Sequence, residues 1–242
     1  YALGYHQGRF PLSEEEKATA PRHYMEYSGL RERYLEMVRR TVRRYAHDDR
    51  IFCWNIMNEP GANLGGDRTV ALLRELFDTV RREDPDQPLC ADIWRSIRDG
   101  RLSSPEEQTA LELSDVISFH YYGAYAKMVA EIDFLRRFDR PLFLTEWLDR
   151  IHHNTVQEIY PLLYITNVSG YCWGFVVGKT QTNEPWDVMW EQWDRGEDHG
   201  YDFTKWQHDL FRPNLRPYDP REIELIEHFN RLAEAKKQES IR

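Results

Sequence analysis

The chain has 242 residues, of which 41% are hydrophobic and 14% aromatic, enough to bury a sizeable core as a single domain over residues 1–242. A formal net charge of -9 argues against a nucleic-acid backbone or an anionic membrane surface as partner and favours a neutral ligand. Eight Trp and fourteen Tyr supply flat apolar faces with one polar edge, suited to stacking on sugar rings as well as to ordinary packing.

Residues Tyr1 to Arg22 mix Gly, Pro and charges without periodicity and read as a loop. From about Tyr27 to Ala46, Leu30, Tyr34, Met37, Val38, Val42 and Tyr45 recur at helical spacing, and the arginines between them read as a solvated face. Ile51 to Met57 is a short, mostly apolar run bounded by charge and by Pro60-Gly61, the pattern of a buried strand. A helix is expected over Thr69 to Arg82, stopped by Asp84-Pro85-Asp86, and then a strand over Pro88 to Trp94. The cycle continues with a helix near Ser104 to Leu113, a strand Val116 to Tyr121, a helix near Tyr125 to Phe138 and a strand Pro141 to Glu146. A helix near Thr155 to Ile165, a strand Gly170 to Val177, a long loop and a last helix from about Pro220 to Lys236 complete it. Cys53, Cys90 and Cys172 form no CxxC pair and read as buried thiols, neither a disulfide frame nor a zinc site. No apolar run approaches the roughly 18 residues of a membrane span. A soluble chain is expected, with the compartment open between cytoplasm and secretion.

Strands alternating with helices imply an α/β fold with parallel pairing. No glycine-rich phosphate signature follows any strand, which disfavours a doubly wound nucleotide fold. A (β/α)8 barrel of the TIM type, by contrast, carries its chemistry at the C-terminal ends of strands. There the unusual polar residues fall: Asn58 and Glu59 after the first strand, His120 and Tyr122 after the third, Glu146 and Trp147 after the fourth, and Trp173 in the last.

Hydrolysing a glycosidic bond needs one carboxyl to protonate the leaving oxygen and another to attack or support the anomeric carbon. Glu59 in Trp54-Asn55-Ile56-Met57-Asn58-Glu59-Pro60 and Glu146 in Pro141-Leu142-Phe143-Leu144-Thr145-Glu146-Trp147 supply such a pair. These two motifs resemble the clan of retaining (β/α)8 glycosidases that includes the family 5 cellulases and mannanases. The resemblance implies Glu59 as acid/base, Glu146 as nucleophile and Asn58 as a donor to the sugar 2-hydroxyl. It also implies His120 as a sugar contact, Tyr122 as a hydrogen-bond partner of the nucleophile and Trp173 as the floor of the cleavage subsite, with Trp94 and Trp147 as further substrate contacts. Asp86-Gln87-Pro88-Leu89, Ser118-Phe119-His120, Gly174 to Thr182, His208-Asp209-Leu210-Phe211 and Pro217-Tyr218 resemble a bacterial subgroup labelled cellulase-like or 1,4-β-xylanase. The partner implied is a carbohydrate substrate, with no nucleic acid, no membrane, no metal and no organic cofactor.

Each residue has a plainer alternative. A lone glutamate at a strand end also serves as a helix N-terminal charge or salt-bridge partner, His120 as a core histidine, and Trp94 or Trp173 as barrel-mouth packing. A nucleophile needs hydrogen bonds that keep it ionised, an acid/base needs a raised pKa, and a retaining pair needs carboxyls about 5 to 5.5 Å apart. His152-His153 is not a metal pair, because adjacent residues point apart.

The sequence shows the pattern of strands 4–8 alone, so an N-terminally incomplete barrel is expected, or a second chain completing it, or a compact variant whose long N-terminal segment closes the sheet. Leu3 to His6 is a candidate tail of a third strand. The rival from another class is a non-catalytic carbohydrate-binding barrel remnant or scaffold, and a transglycosylase is the nearer enzymatic alternative.

Overall fold

The computed structural model describes residues 30–62, 66–95, 97, 100–197 and 199–241. The expected N-terminal loop and the candidate strand tail Leu3 to His6 lie outside the described residues. The chain groups into two compact units: one holds the described residues of 30–121 together with 131–143, the other 122–130 and 144–241. They are called here the Glu59 unit and the Glu146 unit.

In the Glu59 unit, helix α1 (Leu30–Tyr45) carries Glu32 in its first turn and Arg43 and Arg44 in its last, charges that complement the helix dipole. Strand β1 (Trp54–Asn55) leads to helix α2 (Asp67–Arg81), which buries Leu72, Leu73, Leu76, Phe77 and Val80 on one face. Strands β2 (Leu89–Cys90) and β3 (Asp92–Ile93) precede helix α3 (Pro105–Leu113) and strand β4 (Ile117–His120). Ser104 caps α3 by accepting the Glu107 N–H at 3.3 Å, and Pro105 opens its first turn, as the Ser-Pro-Glu-Glu sequence predicts. Strand β1 pairs parallel with β2 in the register Trp54↔Leu89, and β3 pairs parallel with β4 in the register Asp92↔Ser118. Val42, Leu73, Phe77, Val80, Leu89, Ala91 and Ala110 form one buried cluster beneath these strands. Each large member contributes about 2 kcal/mol by leaving water.

Helix α4 (Tyr125–Leu135) and strand β5 (Leu142–Glu146) run from one unit into the other. Within the Glu146 unit follow helix α5 (Val156–Thr166), strand β6 (Ser169–Gly170), helix α6 (Asp187–Asp194) and helix α7 (Pro220–Ile241). Asn167 ends α5 in left-handed backbone (φ 52°), and the Val168 N–H returns to the Leu163 carbonyl at 2.9 Å. Helix α5 packs on α7 through Tyr164 and Phe229, whose rings are 5.3 Å apart, and through a 2.8 Å hydrogen bond from the Tyr160 hydroxyl to Asn230. Beside β5, the Tyr171 N–H donates to the Leu144 carbonyl at 2.8 Å. Gly170 gives Leu163 room there, since a Cβ would stand 2.4 Å from its Cδ1 and oblige that side chain to move. Arg150 and Glu222 form a buried bidentate pair at 2.6 and 2.9 Å, with the Tyr218 ring 4.5 Å from the guanidinium.

Several boundaries differ from expectation. The strand expected over Ile51 to Met57 pairs regularly only at Trp54–Asn55. The one expected over Pro88 to Trp94 is divided at Ala91, whose N–H donates to the Ser114 hydroxyl at 3.1 Å and so leaves the ladder. The last expected strand shrinks to Ser169–Gly170, with an isolated parallel bridge between Val176 and Phe211 further on. The expected long loop contains α6, and the last helix continues to Ile241. Among the described residues, no helix is long and apolar enough to cross a membrane.

Candidate active site

In the Glu59 unit the chain leaves β1 through Asn58, which is exposed, and enters left-handed backbone at Glu59 (φ 42°). The turn that follows has Pro60 second and Gly61 third with φ 86°, and the Ala62 N–H closes it on the Glu59 carbonyl at 3.0 Å. This is the signature of a type II turn, in which only glycine takes the third place without strain. The Glu59 side chain is 24% exposed, and its Oε1 lies 2.9 Å from His120 Nδ1. The other ring nitrogen of His120, which is buried at the end of β4, lies 3.4 Å from Asp92 Oδ2. Asp92 also accepts hydrogen bonds from Asn55 Nδ2, at 2.7 Å, and from the Ser118 hydroxyl. Burial pushes the Asp92 carboxyl up, but the hydrogen bond and charge of His120, with the bonds from Ser118 and Asn55, outweigh it and hold Asp92 below the usual carboxylate range. Asp92 is thus a fixed charge behind the histidine that meets Glu59.

The sequence motifs contained Asn55 and Ser118 without giving them a role, and Asp92 stood in none of them. A charged residue inside the apolar run Pro88 to Trp94 was the available signal, since a buried carboxylate in a strand needs partners. Trp94, half-buried after β3, donates its indole N–H to the Pro60 carbonyl at 3.0 Å. Cys53 and Cys90 are thiols with sulfurs 3.5 Å apart.

In the Glu146 unit, Glu146 closes β5 and its Oε2 accepts the Tyr122 hydroxyl at 2.7 Å. Tyr122 is held edge-on by Trp186, at 5.1 Å and 89°, and is met by the tilted ring of His208 at 5.4 Å. The Trp186 backbone N–H in turn donates to Gln207 Oε1 at 2.9 Å, and the Gln207 amide donates to the buried Asp149 at 3.1 Å. Of this aromatic sheath, His208 stood in one of the sequence motifs, whereas Trp186 had no short-range signal in sequence. Trp147, 1% exposed, packs its ring 6.0 Å from Tyr160, whereas Trp173 is half-buried and donates its backbone N–H to the Trp147 carbonyl at 2.9 Å. Gly174 (φ 81°) follows, where a Cβ would meet the Asp209 N at 2.6 Å and His208 Cβ at 2.8 Å. Asp209 is fully buried. Burial pushes its carboxyl up, against the hydrogen bond that Thr182 donates at 2.7 Å. His152 bonds to Asp149 and His153 lies 3.1 Å from the Gly200 carbonyl, so the two adjacent histidines do diverge.

Parallel strands alternating with helices, with carboxylates at or after the strand ends, fit the (β/α)8 fold of the glycoside hydrolases. The sequence model of the cellulase family, glycosyl hydrolase family 5, matches residues 6–164, well over half of the chain, and the chain belongs to that family. No curated protein matches it. Among solved structures it is similar to a GH5_18 variant from Streptomyces cattleya in complex with Manb1-4GlcNAc, at 14% identity and a TM-score of 0.57 over 95% of this chain and 60% of that one. A β-D-glucuronidase from Dictyoglomus thermophilum matches at 14% identity and a TM-score of 0.57 over 84% of this chain and 36% of that chain. A GH2 β-galacturonidase from Eisenbergiella tayi bound to galacturonate matches at 15% identity and a TM-score of 0.53 over 90% and 38%. At such identities these likenesses concern the fold alone. The chain spans less than two thirds of the length of each.

Proposed function

We propose that the protein is a retaining β-glycoside hydrolase of poly- or oligosaccharides, with Glu146 as nucleophile and Glu59 as acid/base. Glu146 attacks the anomeric carbon as Glu59 gives its proton to the departing glycosidic oxygen, which leaves a covalent glycosyl ester on Glu146. Glu59, now a carboxylate, takes a proton from water as that water attacks the anomeric carbon and releases Glu146. The observation that carries the reading is that Glu59, after β1, and Glu146, at the end of β5, each have a dedicated partner, His120 for Glu59 and Tyr122 for Glu146, two residues apart in the chain. A phenol donating to Glu146 stabilises its charged form before attack.

Asn58 contributes to binding the sugar 2-hydroxyl and Trp173 floors the cleavage subsite. Trp94 and Trp147 act from behind the residues that meet the sugar, because one is bonded to Pro60 and the other is sealed against Tyr160.

The test is Glu146→Gln. Hydrolysis of every aryl β-glycoside the parent cleaves is expected to fall by roughly 10⁴-fold or more, and near-parental rates end the proposal. Oligosaccharide binding by the parent without release of reducing sugar supports instead a binding protein built on the same fold.

A further inference from the structure

The turn that presents Glu59 is gripped from one side at two successive carbonyls. The Trp94 indole N–H donates to the Pro60 carbonyl at 3.0 Å, and the Arg95 guanidinium donates to the Gly61 carbonyl at 2.8 Å. The same guanidinium lies 4.8 Å from the Trp94 ring centre, so the two side chains form one stacked unit. Their backbone is fixed in turn by Glu107, fully buried on α3, whose Oε1 accepts the N–H groups of Trp94 and Arg95 at 3.1 and 2.6 Å. The second Glu107 oxygen accepts the Ser103 hydroxyl at 2.9 Å. Gly61 completes the fit, since a Cβ there would stand 3.2 Å from Arg95 Nη2.

The gripped carbonyls follow directly after a residue in left-handed backbone. For a non-glycine residue that conformation persists only when the surroundings over-determine it. Peptide carbonyls of a turn normally face water and leave the turn free to relax. Here both are tied to a helix through a tryptophan and an arginine.

We propose that Trp94 and Arg95, anchored by Glu107, are positioning residues that hold the Pro60-Gly61 turn and thereby set where the Glu59 carboxyl stands. This rests on the acid/base reading of Glu59. It assigns Trp94 a role through its N–H in place of a sugar-stacking face, and it gives Arg95 a function in a reaction it does not touch.

The experiment compares Trp94→Phe, which keeps a ring but removes the N–H, with Arg95→Ala and Arg95→Lys. A misplaced proton donor slows cleavage of glycosides with poor leaving groups and spares those whose aglycone departs unprotonated. For Trp94→Phe and Arg95→Ala, kcat/KM on an unactivated β-oligosaccharide is expected to fall roughly ten-fold or more, with little change on a dinitrophenyl β-glycoside. Arg95→Lys, which retains a donor, recovers part of the loss. The ring resonances of His120, which meets Glu59 at 2.9 Å, shift in Arg95→Ala and report displacement with or without turnover. Parental kinetics and parental His120 resonances in both variants overturn the proposal, as does a Trp94→Phe enzyme that changes only KM for long substrates. If Glu59→Gln itself shows no dependence on the leaving group, the acid/base reading fails, and the His120 resonances alone decide the positioning role.

Discussion

Glu59 leaves a two-residue strand in left-handed backbone and meets an imidazole backed by the buried Asp92, whereas Glu146 closes a five-residue strand and meets a phenol sheathed by Trp186 and His208. The difference follows the work proposed for each. An acid/base gains and loses a proton within every turnover, and a titratable neighbour responds to that change. A nucleophile has to remain an anion until it attacks, and a neutral hydroxyl donor stabilises the anion without exchanging charge with it.

The contrast breaks most visibly at Glu59→Gln. Removal of a general acid is expected to slow cleavage of unactivated glycosides by roughly 10²- to 10⁴-fold and to spare activated aryl glycosides in the first step. Equal losses on both, read from kcat/KM, contradict the division of roles. Next in size is Tyr122→Phe, which keeps the ring against Trp186 and loses only the donor. A charged hydrogen bond of this kind supports a decrease of roughly 10- to 100-fold in kcat/KM, uniform across leaving groups because the nucleophile serves them all. A leaving-group-dependent loss in this variant would place Tyr122 with the acid instead.

The smallest effect concerns stability in the Glu59 unit. Burial pushes Glu131 up to about 7, and the charge of Glu107 adds to this, against the Ile97 N–H that it accepts at 2.9 Å. The folded protein then keeps a proton that an unfolded chain releases near its ordinary value of roughly 4.3. The contribution of Glu131 to stability is therefore fully present below that value, is lost as pH rises to about 7, and is level above it. Glu131→Gln should flatten thermal midpoints recorded across this window, and an unaltered slope would show that Glu131 does not govern it.

Helices were largely legible in sequence, because apolar residues such as Leu73, Leu76, Phe77 and Val80 mark one face by spacing alone. Strands were less so. Whether Ile51 or Ala91 joins a ladder depends on which N–H and carbonyl groups a distant segment presents, and Ala91 turns instead to Ser114. The motifs located Glu59, Glu146, His120 and Tyr122, yet Asp92 acquires its part only from Asn55, Ser118 and His120, which come from other strands. Trp147 and Trp173 were alike as letters and differ in burial, which spacing does not encode.

Gly174 bears on any attempt to re-engineer specificity. With its missing Cβ filled by the backbone of Asp209, the segment Trp173 to Phe175 is held close to residues 208–209, and any side chain at position 174 has to displace that backbone and accept a positive φ. Tyr171 and Phe175 are 53% and 66% exposed, so a library around Trp173 begins at those two positions, with the Phe175 ring contact on Phe211 at 5.2 Å as its expected cost.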